Sequence, residues 1–144
     1  MRVLVQRSGN SNVTVQDKVT GKIENGLVLL VGFTEGDNLE KIQYLAKKVV
    51  NLRVFPDEND VMNKSILDYG GSILSISQFT LYADPSKGNR PSYVKALNGE
   101  EAIKLYQLFN EELRKYVEVQ EGVFGEHMIV SITNIGPITI LLER

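Results

Sequence analysis

The sequence predicts an α+β fold, a curved mixed β-sheet or barrel-like core with two main α-helices on one side. Three observations carry that expectation. Two segments, Leu39 to Asn51 and about Gly99 to Tyr116, repeat their apolar residues at helical spacing. Six or more other segments are short, apolar or alternating, and bounded by Gly, Pro, Asn or Asp, as strands are. The 144 residues hold no repeat, low-complexity tract or linker, so one domain over residues 1–144 is expected, with a core large enough to stand without staples.

In order, Val3 and Val5 alternate with Leu4 and Gln6, and Val13 and Val15 flank Thr14, so both stretches read as strands. Gly26 opens the apolar run Leu27-Val28-Leu29-Leu30-Val31, which Gly32 closes. That run is too short for a helix and reads as a buried strand. Asp37-Asn38-Leu39-Glu40 resembles a capping box, after which Leu39, Ile42, Leu45, Ala46, Val49 and Val50 form one helical face. Leu52 to Phe55 reads as a strand stopped by Pro56, and Asp57 to Asp60 as a turn. A strand from Ser72 to Ser77 follows the Gly70-Gly71 break. The second helix is opened by Asn98 with Glu101 three residues on, and carries Ala102, Leu105, Phe109, Leu113 and Tyr116 on its packing face. Strands return at Val117–Val119, Met128–Thr133 and Ile138–Leu142, with Gly136-Pro137 read as a tight turn between the last two.

Composition removes several chemistries. With no Cys there is no thiolate nucleophile, zinc ribbon or disulfide framework, and a single His gives no paired-imidazole site. A net charge of −2 argues against a broad basic surface gripping nucleic acid, though not against a local patch. No apolar run approaches the roughly 20 residues that cross a bilayer, and the opening Met1 to Arg7 lacks a signal-peptide pattern, so a cytoplasmic protein without membrane contact is expected.

Few residues remain as candidates for chemistry. His127 has the right titration range for a base, but it sits in an alternating segment with no nucleophile elbow near it, and a surface or strand-end position is the simpler account. Asp57, Glu58 and Asp60 lack the Gly and distant Glu of a calcium loop and read as a solvated turn, so no metal site is expected. Ser77-Gln78-Phe79-Thr80-Leu81-Tyr82 is more informative. It closes a strand with polar side chains around Phe79, and strand ends with free backbone N–H groups are where an oxyanion hole is built. A strand capped by hydroxyls accounts for the same residues equally well. Lys87, Arg90 and Lys95 follow as a basic cluster, either a solvated face or a phosphate contact. In Asn134-Ile135-Gly136-Pro137-Ile138-Thr139, a Gly-Pro turn would expose carbonyl oxygens without side-chain bulk.

Together these segments resemble the D-aminoacyl-tRNA deacylases. The likeness runs nearly end to end, through Gln6-Arg7, Gly26-Leu27, Met62-Asn63, Leu67-Asp68, Ser77 to Tyr82, Lys87 to Ser92 and Asn134-x-Gly136-Pro137-x-Thr139. The resemblance implies a hydrolase that cleaves the ester between a D-amino acid, or glycine, and the 3′-terminal adenosine of tRNA. It implies a homodimer, no cofactor, and a cis Gly136-Pro137 peptide that reaches into the partner's site and excludes an L side chain, with Arg7 holding its orientation and Met128 lining the pocket. Backbone N–H groups of Phe79 and Thr80 would serve the oxyanion, Ser77 and Gln78 would shape the pocket, and Lys87 and Arg90 would lie near tRNA phosphates. The Thr80 hydroxyl as nucleophile is the less favoured scheme, since the motif supplies no base. Three positions depart from the family's usual residues: Glu126 stands where Ala is usual, Tyr93 where Phe is frequent, and Ile138 where Val is common. The competing readings are a same-fold deacylase clearing mischarged L-aminoacyl-tRNA, a tRNA-binding module without catalysis, and a structural dimerisation domain.

Overall fold

The computed structural model describes all 144 residues. Four strands open the chain: β1 (Arg2–Ser8), β2 (Ser11–Val15), β3 (Lys18–Ile23) and β4 (Gly26–Gly32). After them come α1 (Leu39–Val50), β5 (Phe55–Pro56), β6 (Met62–Lys64), α2 (Ile66–Tyr69) and β7 (Ser72–Ser77). A 3₁₀ turn at Phe79–Tyr82 leads to α3 (Gly99–Arg114), β8 (Val119–Glu121), β9 (Ile129–Ser131) and β10 (Asn134–Glu143).

The main sheet runs β10-β1-β4-β7-β8 and is mixed. β1 is antiparallel to both β10 and β4, whereas β4, β7 and β8 are parallel to one another. Parallel neighbours need long crossovers, and the connections containing α1 and α3 supply them. Both helices cover one face of the sheet, where Val3, Val5, Leu27 and Leu29 meet Ile42, Leu45, Phe109 and Leu113 in the larger core. On the other face Val28, Leu74 and Ile76 meet Val13 and Ile23 of a second sheet, β3-β2-β9. β4 is therefore buried on both sides, which is why its sequence is unbroken apolar while β1 alternates.

The helix boundaries follow their caps. The Asn38 side chain accepts from Lys41 N at 3.1 Å, and that of Asn98 from Glu101 N at 3.1 Å. Several expectations shift. α3 ends at Arg114, leaving Tyr116 45% exposed, and its buried face also holds Tyr106 and Asn110. The strands expected at Leu52–Phe55, Val117–Val119 and Met128–Thr133 lie at Phe55–Pro56, Val119–Glu121 and Ile129–Ser131. β3 escapes a pattern search because its first three residues are all exposed. α2 is a single turn, held by a capping box between Ser65 and Asp68.

Two glycines are required by geometry. Gly26 has φ +135°, and a Cβ there would lie 1.9 Å from the Ser72 carbonyl oxygen, so close approach of β4 to the start of β7 depends on it. The other corrects the sequence reading: Gly136-Pro137 is a cis peptide inside β10, not a turn between two strands. Gln6 pairs with Thr139 and Ser8 with Asn134, so the four residues Ile135 to Ile138 bulge outward opposite Arg7 alone. Gly136 has φ +116°, and a Cβ there would lie 2.7 Å from Ile138 Cγ1.

Candidate active site

The parallel strands β4 and β7 end side by side, with Val31 paired to Ser77 at their last rung. The next residue, Gln78, donates its backbone N–H to the Val31 carbonyl at 2.7 Å and turns the chain into the 3₁₀ segment. Beyond these carboxyl ends opens a cavity of about 540 Å³. Its walls are the two strand ends, the first turn of α3 with Gly99 and Ala102, and the segment from Phe124 to Val130. Crevices outside the carboxyl ends of parallel strands are where ligands of such sheets bind.

Ser77, Gln78, Phe79 and Met128 all line this cavity. Met128 is held close to the chain at Gly122, where a Cβ would come within 2.5 Å of its sulfur. In the 3₁₀ turn Leu81 N donates to the Gln78 carbonyl at 3.3 Å and Ala83 N to that of Thr80 at 2.9 Å. The first two N–H groups of such a turn, those of Phe79 and Thr80, have no acceptor within it. The Thr80 hydroxyl instead accepts from the Gln78 side-chain amide at 2.5 Å, and its residue is absent from the cavity wall. The turn is pinned from outside by Arg2, whose Nη1 donates to the Leu81 carbonyl at 2.8 Å while its guanidinium lies 4.6 Å from the Tyr82 ring centroid. Gly32 admits the turn on its inner side, since a Cβ there would lie 2.9 Å from the Gln78 carbonyl oxygen.

Phe79 is 57% exposed at the cavity lip and meets Tyr93 edge-on, with ring centroids 5.1 Å apart. The intervening loop leaves the site after Tyr82 and returns to it at Tyr93. Within it Asp84 and Ser92 pair as a short antiparallel bridge. The Asp84 carboxyl is held down to about 2 by the hydroxyl and backbone N–H of Ser86, with the Lys95 ammonium 3.2 Å away adding to it. Of the three basic residues singled out in the sequence, Lys95 is thus neutralised. Lys87 and Arg90 are exposed on the loop and enter no ion pair.

Arg7 and the Gly136-Pro137 bulge lie elsewhere. Arg7 donates from Nε to the Ile135 carbonyl at 3.3 Å and from Nη1 to the Val54 carbonyl at 2.8 Å, tying the bulge to the chain before β5. Register puts Arg7 level with Leu27 and Ile73, four residues before Ser77 along β7. Three strand spacings also separate β10 from β7. Together these put the exposed Gly136 and Pro137 about 20 Å from the Ser77 end of the same chain.

Sequence reasoning passed over Arg2, Gly32 and Gly122, which act on the site through Leu81, Gln78 and Met128, and over Gly99 and Ala102, which line the cavity from a helix remote in sequence from the strand ends. It set His127 on the surface, and the residue is exposed, two positions before β9, but it also lines the cavity beside Glu126. The acidic turn is satisfied locally: the Asp57 carboxylate accepts the N–H groups of Asn59 and Val61 and the Asn63 amide.

A family model described as D-Tyr-tRNA(Tyr) deacylase matches residues 4–143. The chain belongs to that family. It is 54% identical over 144 residues to a D-aminoacyl-tRNA deacylase of Listeria monocytogenes, covering 99% of this chain and 95% of that one. A D-aminoacyl-tRNA deacylase of Anoxybacillus flavithermus is 51% identical, with 99% of each chain covered. Among solved structures, one titled c-Myc DNA Unwinding Element Binding Protein superposes with a TM-score of 0.94 at 38% identity, covering 100% of this chain and 99% of that one. Another, titled as a probable eukaryotic D-amino acid tRNA deacylase, shares the fold with a TM-score of 0.83 at 16% identity over 98% and 97% of the two chains. Membership of the deacylase family makes this protein an enzyme, a hydrolase that edits aminoacyl-tRNA. No helix of the deacylase is long and apolar enough to cross a membrane.

Proposed function

We propose that the protein hydrolyses the ester joining a D-amino acid, or glycine, to the 3′-terminal adenosine of tRNA, and that it does so as a homodimer. In this dimer the Gly136-Pro137 bulge of one copy closes the cavity of the other. The observation that carries the reading is the separation of the bulge from its own cavity: a segment about 20 Å away serves a site only in a second copy. Ser77, Gln78 and Met128 shape the pocket, and the N–H groups of Phe79 and Thr80 receive the charge that develops on the ester carbonyl. One such donor is worth about 100- to 1,000-fold in rate. An ester is activated enough for water, assisted by the ribose 2′-hydroxyl, to attack without a protein nucleophile. The Thr80 hydroxyl is engaged by the Gln78 side-chain amide and has no base beside it, which favours this scheme over an acyl-enzyme.

Chirality is read by exclusion. A backbone bulge braced by Arg7 cannot move aside for an L side chain, whereas glycine, with none, passes. Lys87 and Arg90 steer the acceptor end through its phosphates, and no cofactor or metal takes part. The net charge of −2 suits contact with that end rather than with a long duplex. The reaction is proposed to take place in the cytoplasm, the location expected from the sequence.

The test is deacylation of D-tyrosyl-, L-tyrosyl- and glycyl-tRNA by the purified protein, with its mass measured in solution. Turnover of the D and glycyl esters with sparing of the L ester, by a dimer, is expected. Equal hydrolysis of both tyrosyl esters would sink the exclusion argument, and a fully active monomer would sink the exchange of bulges.

A further inference from the structure

The cavity wall carries a single carboxylate. Apart from Glu126 and its neighbour His127, every lining residue is apolar, glycine or a neutral polar side chain. Glu126 is exposed, and its side chain enters none of the ion pairs or hydrogen bonds that engage other acidic residues such as Asp37, Asp84 and Glu121. Its position follows from the local backbone. Gly125 takes φ +80°, and Glu126 N closes a turn onto the Val123 carbonyl at 3.2 Å, which sets residues 126–128 along the rim on the way to Met128. An unpaired carboxylate on a largely apolar rim attracts a cation and repels an anion held beside it, with the modest strength of a solvent-exposed pair.

We propose that Glu126 is a specificity-determining residue that biases the enzyme toward D-amino acids with cationic side chains and against those with anionic ones. The inference rests on the deacylase reading above and adds a preference within its substrate class. The α-amino group and the adenosine are common to all substrates, so they cancel when two aminoacyl esters of one tRNA are compared. What remains is the charge at the end of the side chain. A carboxylate facing such a group at a partly hydrated rim changes kcat/KM by about fivefold for each sign of charge, the upper range for exposed pairs.

The experiment measures kcat/KM for D-lysyl-, D-glutamyl- and D-tyrosyl-tRNA with the full-length protein and its Glu126→Gln and Glu126→Lys variants. Each rate is divided by the same variant's rate on the D-tyrosyl ester, so a general loss from misfolding drops out. The unaltered enzyme should favour the lysyl over the glutamyl ester, Glu126→Gln should bring that ratio toward one by up to about 25-fold, about fivefold from each sign of charge, and Glu126→Lys should invert it. The same lysyl-to-glutamyl ratio in all three proteins, with the D-tyrosyl ester still turned over, would overturn the role of Glu126 and leave the deacylase reading standing. No turnover of any D ester by the unaltered protein would overturn both.

Discussion

Gln78 and Thr80 are joined by a hydrogen bond across the turn that follows β7, the amide nitrogen donating to the hydroxyl at 2.5 Å. In the proposed mechanism an oxygen engaged this way, with no base beside it, serves as a structural group rather than an attacking one. Thr80→Ala should therefore keep deacylation of D-tyrosyl-tRNA within about tenfold of the original, whereas loss of a true nucleophile in a hydrolase costs about 10⁴-fold or more. Single-turnover rates decide between them, with circular dichroism to confirm folding.

Gly122→Ala acts on the pocket through Met128. The new methyl group would overlap the Met128 sulfur, 2.5 Å away, while Ile76 Cδ1 at 3.3 Å limits the other direction. A thioether end is flexible, so Met128 moves at little cost to the fold. The expected result is a drop of about tenfold in kcat/KM with Tm changed by only about 2–4 °C, the response to a change of about 1 kcal/mol. A fall in Tm well beyond that, at unchanged kcat/KM, would contradict the assignment.

Arg7 spans the Ile135 and Val54 carbonyls, and no other side chain braces the bulge from β1. Arg7→Ala should loosen residues 135–138 and so weaken rejection of L-tyrosyl-tRNA together with turnover of the D ester. Arg7→Lys, which keeps the charge but lacks the fork that reaches two carbonyls, should resemble it. The ratio of D to L rates is the readout, and a ratio unchanged in Arg7→Ala would separate the bulge from chirality.

Tyr106 lies in the core between α3 and β7, donating its hydroxyl to the Ser75 carbonyl at 2.8 Å. Tyr106→Phe should cost about 1 kcal/mol in unfolding free energy, read by denaturant titration, because the carbonyl loses one of its two donors and keeps only the Gly122 N–H at 3.2 Å. Burial raises the phenol above its ordinary value near 10. The neutral form is the one the fold accommodates, so its stabilising effect is complete below about pH 10 and is lost as pH rises through the raised value. Between pH 9 and 11 the denaturation midpoint of the original protein should fall more steeply than that of Tyr106→Phe.

How much of this was legible in the sequence differs by residue. α1 and α3 were readable because caps and helical spacing are local properties: Asn38 and Asn98 act within three residues of themselves. β4 was readable because burial on both faces demands an unbroken apolar run. β3 and α2 were not, since an exposed strand start carries no pattern and a single turn has no period. The segment Ser77 to Tyr82 and the Gly136-Pro137 pair stood out as chemistry, and their likeness to a family could be stated from the residues alone.

By itself the sequence determined the α+β class, the two main helices, and a composition poor in reactive side chains, because these follow from residue counts and from spacing along the chain. Only the tertiary structure decided that Gly136 and Pro137 bulge from an edge strand rather than turn between two, that Arg2 pins the 3₁₀ turn, and that Gly122 sets the place of Met128. It also decided that the bulge and the cavity of one chain lie apart. Apart from the Gly122–Met128 contact, which spans six residues, these are meetings of segments distant in sequence, and local propensity carries no record of which strand a residue will face.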